Sequence, residues 1–101
     1  MSWANFAKEA LREGKMVQIK PRGHSMTGKV NDGDLVTLEP CEPQSLKVGD
    51  IVLVRCKGYD YLHLIKAIDG VRYQIGNNKG RTNGWVSANA IYGIATKVER
   101  P

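Results

Sequence analysis

The stretch Ile51-Val-Leu-Val-Arg55, followed by Tyr61-Leu-His-Leu-Ile-Lys-Ala-Ile68 and, after Asp69-Gly70, Val71-Arg-Tyr-Gln-Ile75, decides the fold class. The first run is continuously apolar, the mark of a strand buried on both faces or set in a closed barrel. The second and third are joined by Asp-Gly, a strong hairpin signal.

Working outward, the same period-two texture continues on both sides. Met16 to Lys20 reads as a short strand ended by Pro21, and Leu35 to Glu39 as another closed by Pro40 and Pro43. Pro40 to Lys47 is a loop, Gly58 makes a turn, and Gly76 to Gly84 is a glycine- and asparagine-rich loop. Trp85-Val86, a short turn at Ser87 to Ala90, and Ile91 to Val98 complete the strands. The exception is the N-terminus. From Ser2 to Glu13, residues Trp3, Phe6, Ala7, Ala10 and Leu11 fall on one helical stripe, with Ser2 as N-cap and Gly14 as stop. Lys8 and Arg12 then lie on its polar side. Such a short helix is marginal alone and must dock on the rest.

The expectation is one mostly-β domain over residues 1–101: an N-terminal helix in 1–14 and a β core in 15–101, built as a curled antiparallel sheet or partial barrel. A chain of 101 residues holds a single domain, and 42% hydrophobic content supplies its core. The net charge of +5 raises the question of nucleic acid, but no block of five like charges occurs. Basic residues Lys20, Arg22, Lys29, Arg55, Lys57, Lys79 and Arg81, with Tyr59, Tyr61, Tyr73 and Trp85, are the dispersed ingredients of a nucleic-acid surface. Cys41 and Cys56 lack metal-ligand spacing and are read as reduced thiols; with His24 and His63 they form no recognisable metal site. No metal and no cofactor is expected. With no apolar leader and no membrane-length apolar run, the chain is read as soluble, cytoplasmic and without a membrane anchor.

Chemistry centres on Arg22-Gly-His-Ser-Met-Thr-Gly-Lys-Val-Asn-Asp-Gly-Asp34, which sets Ser25 between glycines. A serine hydroxyl needs a base within hydrogen-bond reach. His24, adjacent to Ser25, points to the opposite face of an extended segment and is a poor base for it. His63, mid-strand between apolar residues, is either a core histidine or a general base of suitable pKa. Lys66, three residues on, lies on the other face and is read as solvent-facing. A Gly-Asp pair recurs: Gly33-Asp34 and Gly49-Asp50 each lead into a strand. Gly76-Asn-Asn-Lys-Gly80 is basic but lacks the Gly-Lys-Ser/Thr ending of a phosphate loop.

These residues resemble the signal peptidase I and LexA-type serine peptidases. Their first box, Ser-Met-x-Pro-Thr-Leu-x-x-Gly-Asp, is similar to Ser25-Met-Thr-Gly-Lys-Val-Asn-Asp-Gly-Asp34, and their second to Lys47-Val-Gly-Asp-Ile-Val-Leu-Val54. Tyr61-Leu-His-Leu-Ile65 looks like the box that carries the catalytic base. His63 stands where bacterial enzymes have Lys and the archaeal and endoplasmic-reticulum signal peptidases have His. Gly76-Asn-Asn78, Gly84-Trp-Val86 and Ile91-Tyr-Gly93 resemble the closing box. The resemblance spans about residues 17 to 98 and implies the family's mostly-β core. It implies Ser25 as nucleophile and His63 as base, with Gly23, the Ser25 amide, Met26 and Asn77 as the oxyanion and orienting positions. Gly28-Lys29 replaces Pro-Thr, Asn77 stands where a carboxylate is usual, and Gly23 replaces an oxyanion-hole serine of some bacterial members. Two readings follow. One is a soluble serine endopeptidase that cleaves an extended peptide or protein substrate. The other is an inactive peptidase-fold module that binds a protein or nucleic-acid partner.

Overall fold

A computed structural model describes residues 3–21, 29–78 and 80–100, for Trp3 the backbone only. One helix, α1 (Trp3–Arg12), precedes seven strands: β1 (Val17–Ile19), β2 (Leu35–Glu39), β3 (Ile51–Cys56), β4 (Tyr59–Asp69), β5 (Arg72–Gly76), β6 (Thr82–Ser87) and β7 (Ile91–Glu99). Short 3-10 turns at Pro43–Ser45 and Ala88–Ala90 link the loops. All seven strands join one antiparallel sheet in the order β1-β2-β7-β3-β4-β5-β6. The sheet is not closed into a barrel. Register shifts in β2, β3, β4 and β5 mark bulges, which bend and twist the strands that carry them. The curl brings β6 back towards the β3–β4 turn. A Cβ added to Gly84 would lie 3.2 Å from Lys57 Cε and 3.5 Å from Cys56 Sγ.

The apolar run of β3 is buried because the strand has a core on each face. Leu53 joins Val17, Ile19, Val36, Leu38, Leu62 and Leu64 under α1. Val52 and Val54 join Ile65, Tyr73, Ile75 and Ile91 inside the curl. Alternation then assigns the faces of β4: Leu62 and Leu64 face α1, while Tyr61, His63 and Ile65 face the curl.

The helix ends as its sequence says. Gly14 sits at φ 78°, Lys15 N–H donates to Ala10 O and Gly14 N–H to Leu11 O, both at 3.0 Å, a Schellman stop. Its buried face differs from the expected stripe. Ala4, Ala7, Leu11 and Lys8 are buried, while Phe6 is 63% exposed. The small alanines and the bare backbone of Gly93 let helix and sheet approach closely; a Cβ on Gly93 would meet Leu11 side-chain carbons at 2.9 Å. Lys8 accompanies them because it finds a partner: its Nζ lies 3.1 Å from Asp60 Oδ2 and 5.3 Å from the Tyr92 ring centre. Arg55 reaches the other Asp60 oxygen at 3.5 Å.

Both Gly-Asp pairs build the same turn. Asp34 N–H donates to Asn31 O at 3.0 Å, and Asp50 N–H to Lys47 O at 3.1 Å. Each glycine takes a left-handed φ, 88° at Gly33 and 98° at Gly49, which a side chain would strain. Each aspartate carboxylate reaches back to the amide three residues earlier, Asn31 N–H and Lys47 N–H, at 2.8 Å. The Asp69-Gly70 hairpin differs in detail from its sequence reading. Asp69 pairs with Arg72, so the turn residues are Gly70 and Val71, with Gly70 at φ 60° in the first position of a type II′ arrangement.

Candidate functional site

His63 is 5% exposed on β4, opposite Val52 of β3. Its Nδ1 lies 2.7 Å from Leu62 O. A carbonyl oxygen only accepts, so Nδ1 carries the proton and, in the neutral ring, Nε2 keeps the lone pair. Burial lowers the His63 pKa below its ordinary 6.5, the Leu62 hydrogen bond opposes this in part, and the charge of Arg81 lowers it further. The ring is thus neutral at pH 7 with a defined tautomer. It stacks on Tyr61 with ring centres 4.7 Å apart and planes 29° apart, and Tyr61 meets Tyr59 at 6.4 Å and 56°.

Among the described residues, β4 is paired only with β3 over residues 59–63. Ile65 N–H donates to Asp50 O at 2.9 Å, and Gly49 N–H donates to Ile65 O at 2.8 Å, so the Ile65 main chain faces β3. Alternation turns the main chains of His63 and Tyr61 the same way, and those of Leu64, Leu62 and Asp60 the other way. On that other side β5 pairs with β4 from Leu64–Gly76 to Asp69–Arg72 and then leaves. Asn77 N–H donates instead to Arg81 O at 2.9 Å. Among the described residues no strand pairs with Asp60–Leu62 on this edge.

Asn77 begins a tight return. Its Oδ1 accepts the Arg81 N–H at 3.0 Å, and its carbonyl accepts Lys66 Nζ at 2.9 Å. Gly76 is sterically required, since a Cβ there would sit 2.3 Å from Arg81 O. Continuing the β4–β5 register one step past Leu64–Gly76 sets Asn77 beside His63. Lys66 is on the other face from His63, as expected, but it is half-buried against this turn rather than solvent-facing.

Ser25, with Gly23, His24 and Met26, lies outside the described residues. The chain leaves the described part after Pro21 and re-enters at Lys29. Pro21 O accepts Gly33 N–H at 3.4 Å, which ties that exit to the first Gly-Asp turn. Val30 is buried in the cluster that includes Leu62 and Leu64, the neighbours of His63. Cys41 and Cys56 are free thiols, and burial followed by the charges of Asp50 and Glu42 raises the Cys41 pKa. Among the described residues no three His, Cys, Asp or Glu side chains gather as a metal site, and no helix is long and apolar enough to cross a membrane.

The sequence reading missed the Lys8–Asp60–Arg55 group, whose only local signal is an acidic residue among the apolar positions of β4. It also missed the open edge of β4, for which the departure of the chain at Gly76-Asn77 is the signal. No protein-family model matches the sequence, and no curated protein is detectably similar to it.

Proposed function

We propose that the chain is a small cytoplasmic serine endopeptidase of the LexA–signal peptidase type, with Ser25 as nucleophile and His63 as general base. Ser25 Oγ attacks the peptide carbonyl as Nε2 of His63 takes its proton. On the resemblance, the Ser25 amide and the backbone at Gly23 and Met26 are the positions that would stabilise the developing oxyanion. The peptide C–N bond then breaks as His63 passes that proton to the leaving amine; a water, deprotonated by His63 in turn, attacks the Ser25 acyl ester, releasing the acid and restoring the hydroxyl as His63 gives the proton back. The observation that carries this reading is the state of His63: a neutral ring whose Nδ1–H is spent on Leu62 O, leaving Nε2 as the proton acceptor. An extended substrate adds as a strand to the open edge of β4 at Asp60 and Leu62, continuing the line of β5. Asn77 acts on the base through the turn it closes with Arg81 rather than as a carboxylate would.

The test is labelling with a serine-reactive phosphonylating probe. Wild type is expected to label, Ser25→Ala not to label, and His63→Ala to label about 100-fold or more slowly. Equal labelling of wild type and Ser25→Ala overturns the assignment of the nucleophile.

A second reading has its own support. His63 is stacked, hydrogen-bonded and buried, as a structural histidine would be. On that reading the same edge binds a protein or nucleic-acid partner without turnover. Binding that survives Ser25→Ala, in a protein that never labels, favours it; a steep loss of nucleic-acid binding with salt identifies a phosphate-backbone partner.

A further inference from the structure

Tyr59, Tyr61 and His63 occupy alternate positions of β4, so their side chains share the face inside the curl. They form a graded row: His63 is buried, Tyr61 half-buried, and Tyr59 68% exposed. The inner two rings are stacked, and the outer two are tilted at 6.4 Å, too close for a third ring to enter between them. A planar group can therefore join the row only at its open end, on Tyr59. Tyr59 is four residues from His63, roughly 13 Å along a strand.

Two cations frame this row. Lys57 is at the β3–β4 turn, and its Nζ lies 3.8 Å from where a Gly84 Cβ would stand. Arg81 closes the turn with Asn77, the residue beside His63 in register. The only carboxylate on this segment, Asp60, points to the opposite face, where Lys8 and Arg55 hold it.

We infer that Tyr59 is a specificity residue: it selects extended peptides with an aromatic side chain two residues from the one beside Tyr61. Residues directly opposite across an antiparallel pair share a face. A peptide on the β4 edge, beyond Asn77, thus presents its side chains opposite Tyr61 and Tyr59 to this same row. The pairing stacks the peptide ring on the exposed face of Tyr59. Lys57 favours acidic residues near that ring over basic ones, and Arg81 does the same at the His63 end of the row. The inference rests on the edge-binding reading of the site and adds its substrate class.

The experiment measures binding by full-length Ser25→Ala, which cannot turn the peptide over. The probes are fluorescein-labelled Ala/Ser decapeptides with one Trp moved through each position, in Glu- and Lys-flanked versions. One Trp position is expected to bind roughly two- to tenfold tighter than the all-Ala/Ser parent, with Glu flanks tighter than Lys flanks. Tyr59→Ala is expected to abolish that gain and Tyr59→Phe to retain it, with unchanged circular dichroism in both. A gain that persists in Tyr59→Ala, or no positional gain at all, overturns the inference. So does Tyr59-dependent binding of oligo(dT) with none of peptides. If wild type cleaves the same peptides without regard to Trp, the inference fails while the peptidase reading stands. If the Tyr59-dependent gain appears but wild type cleaves nothing, the inference stands and the peptidase reading fails.

Discussion

Replacing the aspartates of the two matching turns, one at a time, separates the role of sequence from that of environment. In both turns a carboxylate accepts a main-chain N–H three residues back at 2.8 Å, and in both a left-handed glycine precedes it. The surroundings differ. Asp34 is 1% exposed and is also met by the Arg100 guanidinium at 3.4 Å, whereas the Asp50 bond is open to water. A hydrogen bond to a charged group contributes about 1.5–3 kcal/mol, and a buried partner left without its acceptor adds a desolvation penalty. Asp34→Ala is therefore expected to cost about 3 kcal/mol. Water replaces the lost acceptor at the second turn, so Asp50→Ala is expected to cost about 1 kcal/mol. For a chain of this size the 2 kcal/mol difference corresponds to roughly 10 °C in Tm. Asp34→Asn keeps an acceptor oxygen and is expected to recover about half of the loss. Urea titration followed by circular dichroism reads all three variants. Equal losses for the two alanine variants, or a larger loss for Asp50→Ala, would refute the reasoning.

The buried state of His63 sets a pH dependence. Its folded pKa lies below 6.5, so the unfolded chain binds the proton more readily. Stability is present in full above about pH 6.5, falls as pH drops through that value, and levels off below the folded pKa. His63→Gln is expected to flatten this slope between pH 5 and 7 in urea titrations, and an unchanged slope would remove His63 as its source. Under the proposed function, activity falls with acid at a midpoint below 6.5; a midpoint above it in a pH–rate profile would contradict the burial of the base. Gly93→Ala forces a methyl against Leu11 carbons and Glu39 O and is expected to destabilise by about 1–3 kcal/mol, with Leu11→Ala partly relieving it in the double variant. Lys8→Met keeps the stem under α1 but removes the 3.1 Å partner of Asp60. It is expected to cost less than Lys8→Ala, measured by thermal unfolding, because the buried stem keeps its packing while both variants leave Arg55 to hold the carboxylate.

Local signals in the sequence determined what local forces decide. The two-sided burial of β3 is written in Ile51-Val-Leu-Val54, the helix stop in Gly14, and the turns before β2 and β3 in their Gly-Asp pairs. His63 was legible as a residue on an apolar strand, where spacing alone favours a core histidine over a base. Its tautomer needed the position of the Leu62 carbonyl. Helical periodicity ranked Phe6 as core and Lys8 as surface, since it weighs side chains by apolarity alone. Docking reversed both, because the helix meets the sheet through Ala4, Ala7 and Leu11, the last against Gly93, and an aspartate from β4 waited for Lys8. The open edge beside Asp60 and Leu62 is likewise a product of tertiary structure. Whether a strand keeps a partner depends on where another chain segment turns away, here at Gly76, and that is a non-local property no single window of sequence contains.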